Sequence, residues 1–371
     1  MSLFDNINTF FIEKVATQIA KIGAMTPTTI HILTVYARMY EDIAEINREV
    51  AKLANKSMPE VKRIYSQALN EIYYDERFER ALEETPLPEH DKRALENYAE
   101  AVSRQTADTF VNLSNTTAVS QTYRKVVDNA ILAVSSGLGD YQSMMRKSMR
   151  ELGGNGLQVV YESGYRRRMD SAIRQNILDG VRQIQQHASD TIGERLNYDA
   201  KEISVHLNSA PDHEPVQGHI FSNEEFEKLQ TDQPSKDVDG RDFPAMQRPI
   251  GEWNCRHFVF SFSTKYSKRR YSTEQLDEMI TENAKGCEIN GKHYTNYEAT
   301  QLMRSIETDI RRQKDIAVAA KAANDVDLQR EAQIRINALS KKYDNVVNAS
   351  GLSARRNRMV VEGFKPMRIK Q

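Results

Sequence analysis

Apolar residues along this 371-residue chain recur every three or four positions until Ala200, where the step drops to two. A 3.6-residue period lays side chains on one stripe of a helix, and a period of two lays them on one face of a strand. The chain must therefore be mainly helical, with a small region in which strands find one another. Phe4, Ile7, Phe11, Val15, Ile19 and Ile22 form the first stripe, interrupted by Gly23 and Pro27. A second helix is expected over about 28–54, and Ser57-Met58-Pro59-Glu60 reads as the capping box of a third. Pro86 and Pro88 break the chain again, after which helical spacing runs over 89–149, loosened at 113–121 and 135–139. Residues 153–156 read as a turn, and 161–196 as a helix carrying Arg166-Arg167-Arg168, a triplet that reads as a solvated face or a contact for phosphate or a partner.

After Ala200, alternation at Ile203, Val205 and Leu207 predicts one strand, and alternation at Phe258, Phe260 and Phe262 predicts another. Between them Ser222 and Glu225 form a capping box, with Phe221 and Phe226 as a hydrophobic staple, so a short helix bridges the strands. Residues 231–249, rich in Asp, Pro and Gly, read as an exposed, mobile loop. Ser272 with Gln275, and Thr295 with Glu298, each mark a helix start, and Asn290-Gly291 marks a hairpin between them. Long charged helices follow to Gly351. The fold class is mainly α with a small α+β domain, long helices flanking a small antiparallel sheet.

Charge excludes some functions. Lys and Arg (51) nearly balance Asp and Glu (52), so any attraction to DNA or a membrane surface must be local. It is concentrated at 353–371, where Arg355, Arg356, Arg358, Lys365, Arg368 and Lys370 face Glu362 alone; these six are the candidate nucleic-acid contacts. Ordinary solvated charge and docking on an acidic protein surface are the competing readings. The first residues lack a basic stretch followed by an apolar run, so no signal peptide is expected, and the apolar stretch 30–40 is too short to span a bilayer. With two cysteines, Cys255 and Cys287, no disulfide framework is available.

The chemistry-bearing residues gather near the two strands. His206, His213, Cys255 and His257 offer thiolate and imidazole donors of the kind zinc prefers, although their spacing fits no known finger. The same four residues could instead form a hydrogen-bonded corner, with Trp253 and Asn254-Cys255-Arg256-His257 closing a small domain. A structural zinc is the one cofactor the residues leave open. No catalytic residue is assigned: phosphate-binding loops, paired CxxC and HExxH are absent, and Ser261-Phe262-Ser263 follows Glu225-Phe226-Glu227, the reverse of an ADP-ribosyltransferase order.

Several separated segments then carry a resemblance. Tyr165-Arg166-Arg167-Arg168, Arg174-Gln175-Asn176, 179–183, Ala210-Pro211-Asp212-His213, Gln217-Gly218, Asn254-Cys255-Arg256-His257, 294–301 and Ser350-Gly351-Leu352, in this order, resemble the tailed-phage minor capsid protein 2 family, which is similar in turn to Mu F-like minor head proteins. The resemblance covers roughly 121–364. It implies a non-enzymatic minor structural protein of a phage head, assembled in the host cytoplasm and held inside the virion. Implied partners are the portal protein, the major capsid or other head proteins, packaged double-stranded DNA bound without sequence preference, and further copies of the chain. Assistance in head assembly or genome delivery is the implied role; a packaged effector enzyme is the alternative. The expected organisation is a helical region over 1–150 for self-association or portal docking, a helical connector over 151–199, a small α+β minor-head domain over 200–270, helices over 271–352 and a basic tail over 353–371.

Overall fold

The structure is a computed structural model that describes residues 2–23, 29–115, 118–136, 141–160, 163–251, 255 and 257–369. In chain order its elements are α1 (Ser2–Gly23), α2 (Thr29–Tyr73), α3 (Glu79–Glu84), α4 (Glu89–Asn115), α5 (Ala118–Ser136), α6 (Tyr141–Asn155), β1 (Gln158–Val160), β2 (Arg166–Arg168) and α7 (Met169–Arg195). There follow β3 (Ala200–Ile203), β4 (Ile220–Ser222), α8 (Asn223–Gln230), β5 (Ser235–Lys236), β6 (Asp242–Phe243), β7 (Val259–Phe262), α9 (Thr273–Lys285), β8 (Cys287–Ile289), β9 (Lys292–Tyr294), α10 (Asn296–Ala322) and α11 (Val326–Ser350). The chain is mainly helical, with sheets of two or three antiparallel strands. None of the described helices is long and apolar enough to cross a membrane.

Two compact units divide the chain. The first comprises Met1–Met58, Ala107–Asn176 and Leu302–Gln371. Its core includes the predicted stripe of α1, where Ile7, Phe11, Val15, Ile19 and Ile22 are all buried, packed on α5 and α6. A Cβ on Gly153 would lie 2.6 Å from the Ile316 backbone nitrogen and 2.7 Å from its Cα, so α6 and α10 approach backbone to backbone here. Gly154, one position on, meets nothing within 4 Å. Gly153→Ala should therefore destabilise the protein by roughly 1–3 kcal/mol, because neither backbone can yield. Gly154→Ala should stabilise it by up to about 1 kcal/mol, since alanine prefers the helix and restricts the unfolded chain. Denaturant melts of the two variants should thus shift in opposite directions; shifts of the same sign would sink this account of the packing.

The second unit comprises Pro59–Thr106 and Ile177–Gln301. Its centre is a sheet of order β4-β3-β7, with Ala200 opposite both Ser222 and Phe262, and Ile203 opposite Val259. Ile203, Val259 and Phe221 join Val216, Phe226, Leu229, Phe243, Met246 and Ile250 in one core cluster. On the other face Ala200, Ile220 and Phe262 form a smaller one.

The structure revises several local expectations. Helix α2 runs through Pro59 without a break, so the Ser57–Glu60 box starts no new helix. Val50, Val61, Tyr65, Leu69 and Ile72 are buried on both sides of the proline, and continued burial of the stripe outweighs one lost backbone hydrogen bond. The expected helix over 161–196 begins only at Met169; the arginine triplet before it is strand β2, paired with β1. The strand expected at 203–207 lies earlier, at Ala200–Ile203. Residues 231–249 are mostly exposed, as expected, but they carry the short β5–β6 hairpin and bury Ser235, Asp237, Phe243 and Met246. The starts of α9 and α10 agree with expectation, Ser272 and Gln275 forming a reciprocal box and Thr295 bonding Glu298 in both directions. At α8 Ser222 caps the Glu225 N–H, while the Glu225 carboxylate turns to the Lys236 N–H and the Lys228 ammonium.

The tail, expected to be a mobile basic arm, is packed on the first unit. The Arg355 N–H donates to Tyr343 Oη at 2.8 Å, and Lys314 Nζ donates to the carbonyl of buried Met359 at 2.6 Å. Thr9 Oγ1 donates to the Glu362 carbonyl, and the Met367 N–H to Gln333 Oε1.

Candidate metal centre

Antiparallel pairing explains why the rare side chains meet. Because Ile203 lies opposite Val259, the chain leaves β3 and enters β7 at the same end of the sheet. The loop after β3 carries His206 and His213, and the segment before β7 carries Cys255 and His257. A helical turn places His213, since the His213 and Glu214 N–H groups both donate to the Ala210 carbonyl. At the other side the Ile250 N–H donates to Gln230 Oε1, and Gln230 Nε2 donates back to the Ile250 carbonyl.

Three ligand atoms converge. Cys255 Sγ lies 3.3 Å from His213 Nδ1 and 3.4 Å from His257 Nδ1. All three atoms fall within 4.8 Å of one another, and among the described residues this is the one group of His, Cys, Asp or Glu ligand atoms so gathered. His213 and His257 are 1% and 5% exposed, so both imidazoles are committed to the interior; Cys255 is half-buried. His206 stands beside the group, its ring 4.7 Å from that of His257, without contributing a fourth ligand atom. Trp253, Asn254 and Arg256 lie outside the described residues.

An outer layer orients the rings. His213 Nε2 donates to the Arg248 carbonyl at 2.8 Å, and Arg248 in turn clasps Asp212 through two bonds of 2.8 and 3.0 Å. His257 Nε2 faces Ser209 Oγ at 3.3 Å and Gln217 Oε1 at 3.4 Å. Burial would raise the Cys255 thiol, yet its contacts with His213 and His257 bring it down to about 5. Burial would likewise lower the His213 imidazole, but its bonds to Cys255 and the Arg248 carbonyl hold it above its ordinary value. Lowering the thiol in this way favours the thiolate, the form in which sulfur binds metal. His219 belongs to a different pair, its Nδ1 2.8 Å from Asp237 Oδ2 with both side chains 2% exposed.

Sequence reading named the three converging residues but missed their supports. Gln217 and Asp212 stand in recognisable segments, while nothing local marks Arg248, whose role comes from a contact across 35 positions. Of the tail cations, Arg356 pairs with Asp344, and half-buried Arg358 lies 3.8 Å from buried Glu307. Lys365 and Arg368 are exposed, Arg355 is half-buried, and Lys370 lies outside the described residues.

Fold and site together define a predominantly helical protein whose small antiparallel sheet gathers two histidines and a cysteine at one end. The profile of the phage minor capsid protein 2 family matches residues 1–348, and the chain belongs to that family. It is accordingly a bacteriophage virion component with a structural role. The match takes in the N-terminal helices, which the resemblance seen in the sequence had left aside, and ends before the basic tail. No curated protein and no solved structure matches the chain.

Proposed function

We propose that the protein is a minor structural component held inside a tailed-phage head, where it associates with the portal and with packaged DNA and assists head assembly or genome delivery. The observation that carries this reading is family membership over 348 of 371 residues, so that both units belong to the minor capsid module. Assembly takes place in the host cytoplasm alongside other head proteins. Helical surfaces of the first unit supply the docking and self-association faces.

The contribution to DNA binding is smaller than a free arm would make. Two of the six tail cations face carboxylates, which leaves exposed Lys365 and Arg368, with Arg166 on β2, as the cations best placed to replace counterions on phosphate.

Deletion of the gene tests the reading. Particles should then be absent, empty or poorly infectious, and the wild-type protein should occur at a fixed copy number in purified virions. Deletion phage that assemble and infect normally would overturn the structural role and favour a packaged effector enzyme.

A further inference from the structure

We propose that His213 Nδ1, Cys255 Sγ and His257 Nδ1 hold one zinc ion that fastens the segment before β7 to the loop after β3. The inference goes beyond the structural role in the head and does not depend on it.

Hydrogen-bond direction carries the argument. The Arg248 carbonyl can only accept, so His213 Nε2 bears a proton, and a neutral ring then keeps its lone pair on Nδ1. Gln217 Oε1 accepts the His206 N–H at 2.9 Å, which identifies that atom as the amide oxygen. His257 Nε2 lies against the same oxygen, so it too bears the proton and leaves a lone pair on Nδ1. Both Nδ1 atoms point at one sulfur. A single thiol proton cannot serve two imidazole lone pairs, and the Arg248 guanidinium, engaged with Asp212, comes only to 3.5 Å from His213 Nδ1. Without a metal the His213 lone pair depends on that long contact or on the one thiol proton. A cation at the centre meets all three electron pairs at once.

Distances fit zinc. Bonds of about 2.3 Å to sulfur and 2.0–2.1 Å to nitrogen at tetrahedral angles place S and N roughly 3.5 Å apart; here they are 3.3 and 3.4 Å apart. The His257 N–H also points at Cys255 Sγ at 3.4 Å, where it would stabilise a metal-bound thiolate. A mixed thiolate and imidazole set favours zinc over magnesium or calcium, which prefer oxygen donors. Three residues leave one coordination position to solvent or to a further donor, and His206 is not required for the ion to bind.

The test uses full-length protein. Elemental analysis after expression with zinc should find one zinc per chain. Replacement by cobalt should give the strong visible bands of a tetrahedral site together with a thiolate-to-cobalt charge-transfer band, and Cys255→Ser should remove the latter. His206→Ala should keep the full zinc content. As a readout independent of whether Cys255→Ser folds, alkylation of the wild-type protein by iodoacetamide is measured: zinc should slow modification of Cys255 at least tenfold relative to the chelated protein, with Cys287 as the internal reference. Metal-free protein that takes up neither zinc nor cobalt, with Cys255 alkylated equally fast in both conditions, would overturn the proposal. Stoichiometric iron or copper would overturn the choice of zinc, and loss of zinc in His206→Ala would overturn the three-residue assignment.

Discussion

Arg77→Ala should destabilise the protein by about 3–5 kcal/mol, because it strands a buried carboxylate. The Arg77 side chain is 6% exposed and that of Glu202, on the central strand β3, only 2%. Arg77 Nε donates to Glu202 Oε2, and one terminal nitrogen donates to both oxygens of Asp75 at 2.8 and 2.9 Å. The guanidinium also lies 3.9 Å above the Phe260 ring, so one side chain ties the segment before α3 to β3 and β7. Its main chain takes part as well, the Arg77 carbonyl accepting from Tyr198 Oη and Ser267 Oγ. Removing both partners is a different experiment: Arg77→Met with Glu202→Leu should cost much less than Arg77→Ala alone, since no buried charge is left unpaired.

The same pair has a pH signature. Burial already pushes the Glu202 carboxyl above its ordinary range, against the pull of Arg77. Without Arg77 it rises further, so folding favours the protonated form. A carboxyl raised in the folded state contributes most at pH below its unfolded value and loses that contribution as pH climbs through the folded one. The deficit of Arg77→Ala should therefore shrink on acidification from neutral pH towards 5. Equilibrium denaturation of the variant at several pH values measures this; a loss below about 1 kcal/mol, or a deficit that grows on acidification, would remove the buried pair from the account.

Legibility of the fold in the sequence followed the range of the interactions. The α1 stripe and the boxes that open α9 and α10 depend on residues within four or so positions, and each is readable in isolation. Ser57–Glu60 shows the limit: the same local pattern occurs inside a continuous helix, because burial on either side of Pro59 decides the matter. At the site, alternating residues announced two strands, and their antiparallel pairing is enough to bring His213, Cys255 and His257 to one end of the sheet. Which of the four candidates would share a centre was not readable, since it depends on how the loop turns after Ile203 and on ring orientations set by Arg248 and Gln217. The tail misled for a related reason. Its composition is that of a free basic arm, while its anchors are distant, Thr9 meeting Glu362 across 353 positions.

Arg168→Ala should cost about 3–5 kcal/mol and Arg166→Ala no more than about 0.5, although the two stand in one triplet that reads as a uniform charged face. Strand β2 separates them. Arg166 is exposed, whereas Arg168 reaches Asp315 Oδ2 at 2.7 Å, and the Asp315 side chain on α10 is 0% exposed. Asn8 on α1 completes the arrangement: its Nδ2 donates to Asp315 Oδ1 at 3.2 Å while its Oδ1 accepts the Leu157 N–H at 2.8 Å. A buried carboxylate thus fastens the β1–β2 hairpin and α1 to α10. Removing the arginine leaves an anion in a site water cannot reach; removing the anion leaves an arginine whose side chain retains 14% exposure and can turn outwards. Asp315→Asn should accordingly be the milder change, at about 1–2 kcal/mol, because it keeps the shape and part of the hydrogen bonding. Thermal or denaturant melts of the three variants give the ranking. Equal effects for Arg166→Ala and Arg168→Ala would mean that the triplet is a solvated face after all; a larger effect for Asp315→Asn than for Arg168→Ala would mean that hydrogen bonding, and not the stranded charge, dominates this contact.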